Sequence, residues 1–317
     1  MRTITALFVG LGSIGTRHLK NLTNLCADRG WTLQADALRS DLSRPLRDGV
    51  AALLHAQYTD LTAAPAHYDM VFITNPTSLH AEALRQVKGR GEALFIEKPI
   101  FSAEQTGLAL DELLPAGQKA YVAAPMRWCG AMLALKDRLP ALHPYCARVI
   151  CSSYLPDWRP GVDYRTVYSA RKALGGGVTI DLIHEWDYLV ELFGVPEKLY
   201  NFKGTYSELE IDSDDLSVYI AKYPTLLAEV HLDYFGRGYR RSIELFCRDG
   251  SYLADFGKGT LTLPDGTVQH YEEDVNRRYE REMEYFVDYA LIGCGESCNP
   301  PALALKVLKL TLGENVQ

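Results

Sequence analysis

The sequence predicts an α/β chain in two parts. The first is an N-terminal doubly wound parallel sheet; the second is a C-terminal α+β domain on a mainly antiparallel open sheet. Three observations carry this. Short apolar strands alternate with helical spacings from residue 3 to about 124, the pattern of a parallel sheet covered by helices. From 198 to 269 the signals are nearly all strands, parted by turn sequences such as Arg248-Asp249-Gly250 and Pro264-Asp265-Gly266. The chain has 317 residues, and at about 150 per domain that is roughly two domains. The texture changes after Pro125, so the expected domains are 1–123 and 124–317.

In order, Thr3–Val9 is too short an apolar run for a helix and reads as a buried strand. Leu19, Leu22, Leu25 and Cys26 then recur at helical spacing, with Gly30 where a helix C-terminus belongs. Strands follow at 32–38, 68–74 and 93–97, with a helix from about 78 to 87. Beyond the boundary come a helix at 131–139, a strand at 146–154, one helix from about 178 to 193, and helices near 276–292 and 300–312.

Composition narrows the function class. Lys plus Arg is 33 against 40 for Asp plus Glu, a net charge of −7, which argues against a nucleic-acid binder. Apolar residues make up 47% and charged residues 23%, as in an average globular protein. No run reaches the 18 or more apolar residues of a membrane span, so no membrane partner is expected. Gly10, Gly12 and Gly15 break the N-terminal apolar stretch and no small-residue cleavage site follows it. A cytoplasmic chain with reduced thiols is therefore expected. The seven cysteines are scattered; the spacings of Cys146 with Cys151 and Cys294 with Cys298 lack a second pair, so no metal site is expected.

Gly10-Leu11-Gly12-Ser13-Ile14-Gly15 is a G-x-G-x-x-G between a strand and a helix. Gly10 allows the tight turn, Gly12 lets the backbone approach a pyrophosphate, and Gly15 lets helix and strand pack closely. The helix N-terminus, with Ser13 and Ile14, offers N–H groups and partial positive charge to the phosphates. This is the Rossmann dinucleotide arrangement. An acid about 20 residues on usually binds the adenosine ribose. Here the second strand ends Ala37-Leu38-Arg39-Ser40-Asp41, and a guanidinium with a hydroxyl suits a 2′-phosphate. That reading favours NADP over NAD; Asp41 or Asp36 is the acid instead if the strand ends two residues away.

Four motifs in order resemble the Gfo/Idh/MocA oxidoreductase family: Gly10–Gly15; Thr74-Asn75-Pro76-Thr77-Ser78-Leu79-His80; Glu97-Lys98-Pro99; and Gly175-Gly176-Gly177 through Asp181-Leu182-Ile183-His184. They span residues 3 to about 195. Strand C-terminal ends face the ligand crevice of such a sheet, so Thr74, Asn75, Pro76, His80, Glu97 and Lys98 are expected at the cofactor. Lys98 there can hold the oxygen that loses or gains a proton as hydride moves. The resemblance implies that His184 exchanges that proton, with Asp181 and Lys98 beside it. On one helix, Asp181 and His184 three residues apart share a face. Many family members have three residues between the aspartate and the histidine, whereas this chain has Leu182 and Ile183 only, which weakens Asp181 more than His184.

Tyr154 to Lys172 is aromatic and locally basic, with Arg159, Arg165, Arg171 and Lys172 against Asp157 and Asp163. It suggests an anionic, ring-containing substrate held by Trp158, Arg165 and Tyr168. The stretch also resembles a subgroup found with nonulosonic (sialic-acid-like) and surface-sugar biosynthesis, which implies an amino sugar, nucleotide sugar or acidic sugar. Arg127 resembles the family's arginine after the interdomain strand, expected to line the substrate cleft. The expected protein is an NAD(P)-dependent dehydrogenase or reductase acting on a carbohydrate hydroxyl or ketone, as a homodimer or homotetramer. The rival readings are a non-catalytic NAD(P)-binding regulator and an enzyme that oxidises its substrate transiently with a retained cofactor.

Overall fold

The strand expected at 3–9 is β1 (Thr3–Val9), and it lies inside a six-stranded, all-parallel sheet in the computed structural model, which describes residues 2–293 and 295–316. The other strands are β2 (Thr32–Leu38), β3 (Ala56–Tyr58), β4 (Tyr68–Ile73), β5 (Gly91–Ile96) and β6 (Lys119–Val122). Their order is β3-β2-β1-β4-β5-β6, so the winding reverses between β1 and β4. In open α/β sheets that reversal opens the ligand crevice at the carboxyl ends of the strands. Helices α1 (Ser13–Asp28), α2 (His80–Gln86) and α3 (Leu110–Leu113) alternate with the strands. Strand β3 was not expected, since three half-exposed residues leave no apolar run to read.

This sheet belongs to a compact unit made of Met1–Ala123 and Tyr279–Leu305. Its centre is aromatic. Phe8 stacks on Phe72 with centroids 4.4 Å apart, and Phe286 meets Phe72 and Phe95 edge-on at 5.4 and 5.1 Å. Such pairs contribute about 0.5–1.5 kcal/mol each beyond area burial. Phe286 shows why 279–305 packs here, where the sequence reading ran a single second domain from 124 to 317.

The second unit is Ala124–Arg278 with Lys306–Gln317. It begins with α4 (Gly130–Arg138), β7 (Cys146–Tyr154), α5 (Val178–Asp181) and α6 (His184–Phe193). Strands β8 (Lys198–Gly204), β9 (Leu216–Lys222), β10 (Leu227–Asp233), β11 (Phe235–Cys247), β12 (Gly250–Asp255), β13 (Thr260–Thr262) and β14 (Val268–His270) follow; of the last two helices, α7 (Val275–Leu291) belongs to the first unit from Tyr279 on, and α8 (Pro301–Thr311) to the second from Lys306 on. The eight-stranded sheet runs β14-β13-β12-β11-β7-β10-β9-β8, antiparallel except for the β7–β10 pair. Along β7 the side chains alternate: Ala147, Val149 and Cys151 are buried, while Arg148, Ile150 and Ser152 face the open side. On the buried side Trp186 of α6 meets Tyr219 edge-on at 5.2 Å. The expected fold class is borne out in both sheets.

No helix among the described residues is long and apolar enough to cross a membrane, and those residues hold no cluster of three or more metal-ligating side chains. Cys26, Cys129, Cys146, Cys151 and Cys247 are free thiols. The Cys294–Cys298 spacing involves Cys294, which lies outside the described residues.

Candidate active site

In the first unit the glycine loop is locked to its neighbouring strand end. Gly10 has φ +89°, and a Cβ there would stand 2.9 Å from the Asn75 Cα. A Cβ on Gly15 would lie 2.6 Å from the Gly10 carbonyl oxygen and 2.7 Å from Thr74 Oγ1. Thr74 donates its hydroxyl to the Gly10 carbonyl at 2.6 Å, tying the ends of β1 and β4 together. Helix α1 starts at the N-cap Gly12 with no side-chain cap and no acidic residue in its first turn. Gly12 and Ser13 are exposed and Ile14 is half-buried, so the first-turn N–H groups are open to an anion. Asn75 Nδ2 donates to Leu79, while its buried Oδ1 has no hydrogen-bond partner. An uncapped helix terminus and an orphaned acceptor at the strand reversal fit a dinucleotide: phosphates on the first and a ligand N–H or O–H on the second.

Buried His80 bridges the ends of β4 and β5. Nε2 lies 3.0 Å from the Asn75 carbonyl and Nδ1 3.2 Å from the Ile100 carbonyl. Burial pushes its pKa below the ordinary histidine value, although both carbonyls and Glu97 pull the other way. A neutral ring donates to one carbonyl at a time. His80 is thus a strut between strand ends, and Pro76 beside it is exposed. Glu97 is 7% exposed and accepts from His18 Nε2 at 2.5 Å. Lys98 is half-buried, its bond to Pro99 is cis, and Nζ has no hydrogen-bond or ion-pair partner among the described residues.

The tip of β2 carries Arg39 and lies between the two acids. The strand ends at Leu38, as expected. Asp36 is buried and accepts from Tyr68 Oη at 2.8 Å and His55 Nδ1 at 3.1 Å, so it braces the sheet. Asp41 turns back on Ser43, accepting from its N–H at 2.8 Å and its hydroxyl at 2.7 Å, which holds its carboxyl below the usual range. Arg39 stands at the tip on Gln57 Oε1 and the Arg44 carbonyl, with Ser40 exposed beside it.

In the second unit the glycine run folds the chain back on itself. A Cβ on Gly176 would overlap the Tyr168 carbonyl oxygen, and Gly177 sits at φ +131°. Asp214 fixes the next turn: its carbonyl accepts the Val178 N–H and Oδ2 the Thr179 N–H, both at 2.9 Å. This packing delivers Tyr168 to Asp181. The buried Asp181 carboxylate accepts from Tyr168 Oη and, at 2.5 Å, from Tyr234 Oη. Burial and then Asp181 raise both phenols above their ordinary range, so each stays a donor. Trp158 meets Tyr234 edge-on at 5.2 Å and donates Nε1–H to Ser153 Oγ at 3.0 Å. Trp158 and Tyr168 are 39% and 43% exposed, an aromatic ledge beside the buried Asp181 carboxylate.

Three expectations change here. The single helix at 178–193 is two, α5 and α6, because the chain tightens at Leu182–Ile183, where Ile183 N–H reaches the Ile180 carbonyl at 3.3 Å. Asp181 and His184 therefore do not share one continuous helix face: Asp181 turns to the tyrosines, and His184 is the half-exposed first residue of α6. Arg127, expected beside the substrate, is a buried clamp within the second unit. It is 3% exposed, and its fork clamps Asp187 at 2.7 Å and Glu191 at 2.6 Å. Arg165 is neutralised by Asp163 at 2.9 Å and Glu210 at 2.8 Å, and Arg171 lies 3.7 Å from Asp212, so two of the four basic groups of the stretch are already paired with acids.

Sequence reading missed four groups. His18 carried a signal, a polar residue on the buried face of α1 three positions after Gly15. Tyr234 carried none. Glu185 and Arg241 form a buried pair, Nε to Oε1 at 2.7 Å and Nη2 to Oε2 at 3.0 Å, which anchors the start of α6 to β11.

Residues 4–123 match the Gfo/Idh/MocA profile, described as an oxidoreductase family with an NAD-binding Rossmann fold. An uncharacterised oxidoreductase, YrbE from Bacillus subtilis (strain 168), is 24% identical over 308 residues, covering 90% of this chain and 86% of that one. Among solved structures, UDP-N-acetylglucosamine 3-dehydrogenase GnnA from Acidithiobacillus ferrooxidans superposes with a TM-score of 0.74 at 18% identity, covering 99% of this chain and 97% of its own. The WlbA dehydrogenase from Bordetella pertussis, solved with NADH and UDP-GlcNAcA, gives 0.74 at 17%, covering 98% and 95%. At those identities the structural likeness establishes the fold.

Proposed function

We propose that the chain is a Gfo/Idh/MocA-type NAD(P)-binding oxidoreductase, as the match of residues 4–123 supports, and that it interconverts an alcohol and a ketone on a sugar or nucleotide sugar, with NADP as the preferred cofactor. The observation that carries this is Lys98, a half-buried lysine with an uncommitted ammonium at the end of β5, in the sheet whose strand ends hold the glycine loop. The bound nicotinamide supplies or accepts the hydride. Lys98 donates a charge-assisted hydrogen bond to the reacting oxygen and stabilises the negative charge that grows there. His184 exchanges the proton of that oxygen, the task a histidine performs near neutral pH. Asp181, saturated by two phenols, holds the aromatic ledge rather than carrying the proton.

A sugar suits the ledge because Trp158 and Tyr168 present apolar ring faces with polar groups close by. GnnA and WlbA, which share this fold, are named for or bound to UDP-sugars, which supports the class. Arg39 with exposed Ser40 supports NADP. The open face of the second sheet, with Ile150, Val218 and Ile220 around the Arg148–Glu229 pair, is the surface for a second copy in a homo-oligomer. The test is hydride transfer from NADPH to a panel of 3-keto and 4-keto UDP-sugars. Lys98→Met keeps cofactor binding and loses most turnover, and His184→Ala removes the acid–base limb of the pH–rate profile. Unchanged turnover in Lys98→Met overturns the assignment. Absence of transfer to any sugar, with NADPH still bound, favours the non-catalytic regulator.

A further inference from the structure

His18 and Glu97 lie 79 residues apart in sequence and meet inside the nucleotide-binding unit, one residue before Lys98. His18 is fully buried on α1, with its ring 4.7 Å from Phe95 and 6.1 Å from Tyr279. Its Nδ1 has no hydrogen-bond partner, so the imidazole makes its polar contact through Nε2–H, which donates to Glu97 Oε1 at 2.5 Å. The second carboxylate oxygen, Oε2, accepts the Lys98 backbone N–H at 3.2 Å. The Glu97 N–H is itself bonded to the Ile73 carbonyl at 2.9 Å, so its backbone is pinned to β4.

A carboxylate buried this deeply is costly unless its oxygens are hydrogen-bonded. Packing alone needs no charge at that position, and a leucine or methionine would fill it. What the carboxylate adds is directional: one oxygen on the helix that follows the glycine loop, the other on the residue bearing the ammonium. We propose that His18 is a positioning residue for Lys98. It acts through Glu97, so the phosphate-binding helix and the lysine hold one fixed relation. This rests on the reading of Lys98 as the group that meets the reacting oxygen.

The experiment labels lysines of the full chain with an acetylating reagent and reads Lys98 by peptide mass spectrometry, with exposed Lys136 as the internal standard. NADPH affinity is measured alongside by calorimetry. His18→Leu removes the donor; His18→Gln keeps an N–H able to reach Glu97. The expected result is a change of about tenfold in the relative labelling rate of Lys98 in His18→Leu, the worth of one hydrogen bond to a charged group. His18→Gln should return close to wild type, with NADPH affinity changed less than about twofold in both. Glu97→Gln keeps the His18 contact but turns an amide towards the Lys98 N–H, and should change labelling as His18→Leu does. That variant decides the matter if His18→Leu does not fold. Equal labelling in His18→Leu and wild type, or equal behaviour of the Leu and Gln variants, overturns the proposal. Because labelling needs no substrate, this failure is separate from unchanged turnover in Lys98→Met, which would sink the role of Lys98 itself.

Discussion

Replacing Arg241 by alanine breaks the pair that anchors the start of α6 from one side only. The fork is bidentate, with N–O distances of 2.7 and 3.0 Å, and the side chains are 14% and 0% exposed for Arg241 and Glu185. The Glu185 carboxylate then stays buried without its counter-charge, and losing one partner of such a pair costs about 3–5 kcal/mol. At about 2–4 °C per kcal/mol for a unit of this size, the melting temperature falls by about 6–20 °C. The control is Arg165→Ala. Arg165 makes more hydrogen bonds, to Asp163 and Glu210, but its side chain is 47% exposed, and water and salt screen such surface pairs so that breaking them changes stability little. Scanning calorimetry of the wild type and both variants reads the contrast. Arg241→Met combined with Glu185→Leu should recover most of the loss, since a well-packed apolar pair replaces a buried ion pair at little cost. The reasoning is refuted if Arg241→Ala melts within about 3 °C of wild type, or if Arg165→Ala falls as far.

Two further outcomes follow from the same structure. Burial pushes the Glu97 carboxyl up, yet the His18 hydrogen bond and the nearby Lys98 charge outweigh it and bring the carboxyl below its ordinary value. A folded value below the unfolded one gives stability that is present above about pH 4.5 and lost as pH falls through the folded value. The melting gap between wild type and Glu97→Gln should therefore be widest near neutrality and narrow below about pH 4; a gap independent of pH contradicts the assignment. In Gly176→Ala the added Cβ meets the Tyr168 carbonyl, a backbone atom that cannot swing away. Loss of about 1–3 kcal/mol in urea unfolding is expected, with ultraviolet difference spectra showing tyrosine exposed; a neutral variant would mean the 168–176 fold-back is not needed.

The strand, glycine loop and helix of 3–28 were legible because the apolar period, the turn chemistry and the helix start all lie within one short stretch. The strand end at Leu38 was legible for the same reason, and it left Arg39 at the tip. What depended on distant partners was not. A buried Arg127 reads like an exposed one until Asp187 and Glu191 are placed 60 and 64 residues on. Tyr234 meets Asp181 across 53 residues, and nothing near either position announces it. The break at Leu182–Ile183 was hidden because both residues are apolar and buried, continuing the helical spacing on each side. Residues 279–305 read as further C-terminal helix, since an amphipathic pattern says that a face is covered but not by which sheet.

The most direct test is calorimetric titration of the purified, cofactor-stripped chain with NADPH and, in parallel, NADH. Tight binding of NADPH is expected, with NADH weaker by about tenfold and the difference abolished in Arg39→Ala, the worth of the guanidinium on a 2′-phosphate. Equal binding of the two would keep the dehydrogenase and remove Arg39 as the reader of that phosphate. Binding of neither would contradict the nucleotide site that Gly10–Gly15, Asn75 and the uncapped α1 terminus build.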